Sequence, residues 1–194
     1  MALVESNMLP LGTIAPDFSL PNVVDNSLGS LSSLKGEKGT LVVFTCNHCP
    51  YVIHLLDVFV ALARKNQEMG VETIAISSND VENYPSDHPD LMRELAQEKQ
   101  FSFPYLYDKT QRVAKAYDAA CTPDFYLLNP HNELVYRGRF DASRPGNDLP
   151  ITGEDLQNAI DAMLKKDPIP EKQYPSMGCN IKWKAGNEPA GFSI

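Results

Sequence analysis

The stretch that decides the fold is LVVFTCNHCPYVIHLL, which spans residues 41–56. The apolar run at 41–44 predicts a buried strand, and the apolar residues that follow Pro50 recur at helical spacing. Between them lie Cys46 and Cys49, so a C-x-x-C pair stands where a strand ends and a helix begins. Helix N-termini carry unpaired N–H groups and the positive end of the helix dipole, and both stabilise a thiolate. We therefore expect a cysteine here with a lowered pKa, which makes it a nucleophile at neutral pH.

The composition is that of an ordinary globular protein. The chain has 194 residues, 43% of them hydrophobic and 22% charged, which suits one large domain. Its net charge of −8 and pI of about 4.9 argue against a nucleic acid or an anionic membrane as partner, because both are negatively charged. The sequence contains neither a long apolar run typical of a membrane span nor a secretory signal, so we expect a cytoplasmic protein.

The hydrophobic periodicity predicts the order β-α-β-α-(short α)-β-β-α. The predicted strands are at 41–45, 71–77, 124–128 and 133–139, the predicted helices are at 50–68, 90–99, 110–117 and 152–166, and 103–107 is expected to be a short extended piece. A strand, a crossover helix and a second strand imply a parallel pair, whereas the final hairpin adds antiparallel strands. The central sheet is therefore predicted to be mixed. We also expect Asp90 to cap its helix and the segment 152–155 to open the last helix in the manner of a capping box.

The chain is predicted to form one domain at 1–166, followed by a tail at 167–194 that packs on the domain surface. The tail contains several prolines and no long apolar stripe. Trp183 is expected to anchor it.

Several segments resemble the thioredoxin-fold redoxins, and most closely the peroxiredoxin-like branch of the alkyl hydroperoxide reductase/thiol-specific antioxidant (AhpC/TSA) superfamily. The segments that carry the resemblance are APDFSLPNV (15–23), FTCNHCP (44–50), FPYLYD (103–108) and CTPDFYLL (121–128). It covers roughly residues 11–166 and extends to GCNIKW in the tail. The resemblance implies a thioredoxin-like (glutaredoxin-type) three-layer α/β/α fold, with a mixed central sheet, an N-terminal extension and a C-terminal tail.

The roles of the site residues follow from this resemblance and from their chemistry. Cys46 is expected to be the attacking thiolate, because it is nearest the strand end and expected to be the more exposed, and Cys49 the thiol that resolves a mixed disulfide. A cationic His48 between them would favour the thiolate and make the disulfide more oxidising. The resemblance further implies that Pro123 is in cis beside the dithiol, with the Thr122 backbone available to pair with an extended substrate.

Two further cysteines have open roles. Cys121 directly precedes the proline loop and Cys179 lies in the tail, so both are candidates for additional redox thiols, although packing without a redox role is the expectation for each. The four cysteines, with His48 and His54, also contain the ligand types of a zinc site. Structural zinc usually requires a second closely spaced pair, so we expect no metal, and no organic cofactor.

The resemblance leaves a choice of activity. Peroxiredoxins place the peroxidatic cysteine in P-x-x-x-T-x-x-C, with an arginine from a later strand. Here Cys49 falls on that cysteine, but Cys46 replaces the threonine, Val42 the proline, and Thr122 lies near the arginine position. Preorganised hydrogen-bond donors to the peroxide usually carry much of a peroxidase's rate enhancement. The absence of these supporting groups therefore favours a thiol–disulfide oxidoreductase over a peroxidase.

The expected partners of such an enzyme are protein or small-molecule disulfides and a thioredoxin- or glutathione-type reductant. The alternatives are a thiol peroxidase that reduces peroxides and a non-catalytic zinc-binding or redox-sensing protein. The sequence is compatible with a monomer or a homodimer.

Overall fold

The structure is a computed structural model that describes residues 3–190. Its strands are β1 (Leu3–Glu5), β2 (Ser19–Pro21), β3 (Leu28–Ser30), β4 (Gly39–Phe44), β5 (Val71–Ser77), β6 (Tyr105–Tyr107), β7 (Cys121–Thr122), β8 (Asp124–Leu128), β9 (Leu134–Gly138) and β10 (Met177–Asn180). Its helices are α1 (Leu31–Leu34), α2 (Pro50–Glu68), α3 (Pro89–Glu98), α4 (Arg112–Ala116) and α5 (Glu154–Lys165), with a 3-10 turn at Pro85–Asp87. In the described part of the chain, no helix is long and apolar enough to cross a bilayer.

The central sheet is mixed, as predicted. Its strand order is β6-β5-β4-β8-β9, with β4, β5 and β6 parallel to one another. Helix α2 makes the crossover between β4 and β5. On the other side of β4, β8 runs antiparallel to β4, and β9 runs antiparallel to β8. The strand before the C-x-x-C pair is therefore the middle strand of the sheet.

Both faces of β4 are covered, which explains its continuous apolar sequence. Leu41 and Val43 pack in one hydrophobic cluster with residues of α2, α3 and α5. Val42 and Phe44, pointing the other way, pack in a second cluster with residues of α1, α4 and the tail. The sheet thus forms the middle layer of three.

Two predicted helix caps are wrong. Helix α3 begins at Pro89, and its N-cap is His88, whose ring Nδ1 accepts the Asp90 N–H at 3.3 Å. Proline suits the first helical position because its missing N–H would be unpaired there, and this moves the cap ahead of Asp90.

Helix α5 has no side-chain capping box. Its N-cap is Gly153, in the left-handed region at φ 66°. Asp141 Oδ2 instead accepts the Thr152 and Gly153 N–H groups, each at 2.7 Å. A carboxylate from outside the helix therefore takes the place of the predicted local cap.

The tail does more than pack on the domain surface, because one of its segments forms a strand of a sheet. β10 lies between β1 and β7 in a second, three-stranded sheet, antiparallel to both. Beyond it, Ile181 and Trp183 are buried in the second hydrophobic cluster. The domain boundary at 166/167 stays a prediction, but the segment that carries Cys179 is part of the packed structure.

Candidate active site

The C-x-x-C pair stands at the junction of β4 and α2. Cys46 follows the strand, and Cys49 is the N-cap of α2, with Pro50 at the first helical position. The sequence dictates this local geometry, because proline begins a helix readily and the strand residues before Cys46 are apolar. The pair therefore sits at the positive end of a 19-residue helix.

Three of the four cysteines meet at this point. Cys46, Cys49 and Cys179 form one buried cluster with Val52, although 130 positions separate the last two cysteines. Cys121 is buried nearby, with its sulfur 3.6 Å from the Pro123 carbonyl oxygen. None of the four cysteines, all of which lie in the described part of the chain, forms a disulfide in this structure. Cys179, which was expected to be a packed residue without a redox role, is thus packed directly against the dithiol.

Hydrogen bonds concentrate on the sulfur of Cys49. The Cys46 thiol donates to it, and the Cys179 thiol, the Cys179 backbone N–H and the Val52 N–H add to this effect. These interactions favour the charged form, outweigh burial and lower the pKa of Cys49 to about 5. The Cys49 sulfur also lies 3.1 Å from the Thr122 carbonyl oxygen, a contact that by itself favours the protonated thiol.

Cys46 is shifted in the opposite direction. Its hydrogen bond to Cys49 and its burial raise the pKa of Cys46 well above the ordinary value, and the nearby Asp87 carboxylate adds to the shift. Its exposed fraction is 1%, against 0% for Cys49, so both cysteines of the pair are buried. Cys46 is the cysteine nearer the strand end, as expected, but the opposite directions of the two pKa shifts favour Cys49 as the thiolate.

The predicted cis peptide bond joins Thr122 to Pro123. The Thr122 hydroxyl lies 3.4 Å from the Cys46 sulfur, so this residue contacts both cysteines of the pair. Its backbone pairs with Cys179 of β10. The structure thus places Thr122 beside both cysteines, with the cis proline next to it, while the catalytic roles of Thr122 and Pro123 stay predictions.

His48 is paired with an acid that the sequence did not reveal. Its Nδ1 lies 2.7 Å from Asp87 Oδ2, in an ion pair whose angle is poor for a hydrogen bond. The Asp87 carboxylate raises the pKa of His48, and the ring stacks on Tyr84 with the ring centroids 5.9 Å apart. The other oxygen of Asp87 accepts the Asn47 N–H at 2.8 Å, which ties the acid to the C-x-x-C loop.

The same residues form a group with zinc-ligand chemistry. Ligand atoms of Cys46, His48 and Asp87 lie within 4.8 Å of one another. Sulfur, imidazole and carboxylate are all zinc ligands, and three protein ligands leave a fourth position open. His54, which the sequence also offered, lies elsewhere, with Nε2 3.3 Å from Ser143 Oγ. A zinc-binding alternative would therefore use Asp87 and not His54.

A cavity of about 220 Å³ opens beside the cis proline. Its lining includes Tyr51, His54, Pro123, Arg139, Arg144 and Met177. It gives a small molecule a place to lie beside the cis proline, although neither Cys46 nor Cys49 is part of its lining.

The chain is similar in sequence and structure to proteins of one known family. The model of the AhpC/TSA family matches residues 11–137. The chain belongs to the AhpC/TSA family. An uncharacterized conserved protein from Geobacillus kaustophilus is 53% identical, with a TM-score of 0.93, over 95% of this chain and 97% of its own. A hypothetical protein from Sinorhizobium meliloti 1021 is 42% identical, with a TM-score of 0.91, over 94% of this chain and 99% of its own. No curated protein matches this AhpC/TSA member.

More distant structures confirm the thioredoxin-like fold. The thioredoxin domain of a thiol-disulfide oxidoreductase from Bacteroides vulgatus is 17% identical, with a TM-score of 0.59, over 78% of this chain and 99% of its own. A peroxidoxin from Mycobacterium tuberculosis is 16% identical, with the same TM-score of 0.59, over 80% of this chain and 96% of its own. The predicted superfamily and fold are thus both confirmed, and the family implies redox enzyme activity in general.

Proposed function

We propose that this AhpC/TSA protein is a thiol–disulfide oxidoreductase whose working dithiol is Cys46 and Cys49. The observation that carries the proposal is the set of hydrogen bonds that lowers the pKa of Cys49 to about 5 at a helix N-terminus. A thiolate is the attacking species in disulfide exchange, and Cys49 is in that form at neutral pH.

The reaction begins when the Cys49 thiolate attacks one sulfur of a substrate disulfide. The substrate S–S bond breaks, its first sulfur leaves as a thiolate that takes a proton from water, and a mixed disulfide forms at Cys49. Cys46 then gives up its proton and attacks the Cys49 sulfur, which releases the second substrate thiol and leaves a Cys46–Cys49 disulfide. Two electrons pass from the dithiol to the substrate.

The charges at the site order these steps. In the resting state the hydrogen bond to Cys49 keeps the proton on Cys46. Once Cys49 is bonded to substrate, its negative charge is gone, so this cause of the raised pKa of Cys46 disappears. Cys46 is thereby released for attack only after the mixed disulfide has formed.

The stabilised thiolate also affects the redox equilibrium. Whatever stabilises the reduced form makes the corresponding disulfide a stronger oxidant. A cationic His48, held by Asp87, acts in the same direction. A thioredoxin- or glutathione-type thiol is then sufficient to regenerate the dithiol. Protein or small-molecule disulfides are the proposed substrates, while the cytoplasmic location and the monomer or homodimer state remain predictions from the sequence.

The pH dependence of Cys49 alkylation tests the central observation. We expect the rate constant for iodoacetamide to reach half its plateau near pH 5, because the pKa of Cys49 is lowered to about 5. Peptide mass spectrometry distinguishes Cys49 from the other thiols. In the unfolded chain the same profile should centre near the ordinary cysteine pKa of about 8.5. A folded-state midpoint that coincides with the unfolded one would contradict the assignment.

Peroxiredoxin-like peroxidase activity is the second candidate, because the residue with the lowered pKa occupies the peroxidatic position. Arg137 of β9 and Arg139, which follows that strand, both have partners elsewhere. Arg137 donates to the Leu9 carbonyl oxygen at 2.7 Å. Arg139 pairs with Asp155. Peroxide consumption coupled to a thiol reductant would favour this candidate, whereas insulin reduction without it would favour disulfide exchange.

A further inference from the structure

The strand edge beside the cis proline is occupied by the chain's own tail. An open strand edge near a dithiol is a place where an extended peptide can pair through its backbone. In this structure β10 lies antiparallel to β7 at that edge, with Cys179 opposite Thr122 and Asn180 opposite Cys121. The tail thus takes the place that an extended substrate would use.

The fit between tail and edge is close and depends on one glycine. A Cβ atom at Gly178 would lie 2.0 Å from the Thr122 carbonyl oxygen, a distance at which the backbone must shift. The neighbouring Ser176 hydroxyl donates to the Pro123 carbonyl oxygen at 2.5 Å, and the Ser176 backbone N–H donates to Ser6 Oγ at 2.8 Å. This strand is therefore held against the proline loop from several sides.

The strand presents a thiol where a substrate would present its own sulfur. The Cys179 thiol and backbone N–H both bind the sulfur of Cys49. Cys46 donates to the same sulfur, so Cys49 has a thiol partner on the helix loop and another on the tail. With 5% of its surface exposed, Cys179 is shielded from solvent but in contact with the dithiol.

We propose that Cys179 is a third redox residue, which exchanges with the Cys46–Cys49 disulfide to form a Cys49–Cys179 disulfide. This step rests on the dithiol function proposed above. Cys179 loses its proton and attacks the Cys49 sulfur, the bond between Cys46 and Cys49 breaks, and Cys46 leaves and takes up a proton. One disulfide is consumed and one is formed, so the step requires no further oxidant.

The electrostatics make this exchange conditional on the oxidation state. Burial and the hydrogen bond to Cys49 raise the pKa of Cys179 to about 12 in the reduced protein. Oxidation of Cys49 removes the negative charge, and with it the contributions of that hydrogen bond and that charge. Lys182, which favours the Cys179 thiolate, remains. Cys179 is thus a hydrogen-bond donor before the first exchange and a nucleophile after it.

The test uses the full-length chain, fully reduced and then treated with one equivalent of diamide. Free thiols are trapped with N-ethylmaleimide, and the disulfides are identified by peptide mass spectrometry without reduction. In Cys46→Ser we expect most of the protein to carry a Cys49–Cys179 disulfide, whereas Cys179→Ser should form only Cys46–Cys49. Cys121→Ser, which removes another buried thiol, should match the wild type. If Cys46→Ser stays monomeric and both Cys49 and Cys179 remain reduced after diamide treatment, the proposal is overturned.

A second variant keeps every cysteine and moves the strand. Gly178→Val should reduce Cys49–Cys179 formation at least about 10-fold while Cys46–Cys49 still forms, because the added side chain cannot fit against Thr122. An unchanged yield of Cys49–Cys179 in Gly178→Val would also overturn the proposal, and this comparison does not require Cys46→Ser to fold. If Cys46–Cys49 never forms and insulin is not reduced, the proposed function itself fails. If Cys46–Cys49 forms and exchanges without Cys49–Cys179, only the role of Cys179 fails.

Discussion

Replacement of Cys49 by serine is expected to lower the rate of disulfide exchange by a factor on the order of 10³ or more, the scale seen when a covalent nucleophile is removed. A serine hydroxyl does not ionise near neutral pH, so the hydrogen bonds that stabilise the Cys49 thiolate have no anion to act on. The measurement is reduction of insulin or of glutathione disulfide by the reduced protein. Cys121→Ser, which also replaces a buried cysteine by serine, is the matched control.

Cys46→Ser separates the two roles within the pair. This variant should still release the first substrate thiol in a single turnover, because Cys49 carries out that step, while Cys49→Ser should release none. If Cys49→Ser releases the first substrate thiol in a single turnover and Cys46→Ser does not, Cys46 is the attacking thiol, as first predicted from the sequence. Circular dichroism of each variant shows whether the loss is chemical or a failure to fold.

The features predicted correctly from the sequence are those with a local signal. Helix α2 and strands β5 and β8 have the predicted bounds, because periodicity and flanking glycine and proline define them. The C-x-x-C pair and the cis proline belong to short motifs that are complete within a few residues. Such features require no knowledge of how distant segments pack.

The features that were missed depend on tertiary contact. Asp87 lies in a loop without periodicity, and nothing in that loop indicates that its carboxylate reaches His48. Cys179 reaches Cys49 only because β10 pairs with β7, a contact between distant segments. The one available signal was Gly178, since a glycine beside a cysteine is compatible with close backbone approach. The burial of both cysteines of the pair likewise depends on which distant segments cover them.

Asp124 provides the second large expected effect, on stability. It follows the cis proline at the start of β8 and is fully buried. Burial raises the pKa of Asp124 to about 7, although Oδ2 accepts hydrogen bonds from the Tyr126 hydroxyl at 3.0 Å and the Ala120 N–H at 3.4 Å. Oδ1 has no partner among the described residues, so the folded protein favours the neutral acid.

The sign of the pH effect follows from this shift. Because the folded pKa lies above the unfolded value of 3.8, the stability that Asp124 contributes is fully present below about pH 4 and is lost as the pH rises through 7. The difference is on the order of 4 kcal/mol. Asp124→Asn carries no titrating proton and should abolish this loss. The free energy of unfolding of the variant should therefore rise relative to that of the wild type between pH 4.5 and 8.

Urea unfolding under reducing conditions at pH 4.5, 6 and 8 measures this gain in stability, with exposed Asp167→Asn as the control. The lowered pKa of Cys49 acts in the opposite direction, since its stabilisation grows as the pH rises from about 5 towards the unfolded value. Both proteins contain Cys49, so its contribution cancels when the variant is subtracted from the wild type at each pH. A difference that stays constant from pH 4.5 to 8 would mean that Asp124 is already ionised in the folded protein at the lower pH, and that burial does not hold a proton beside the cis proline.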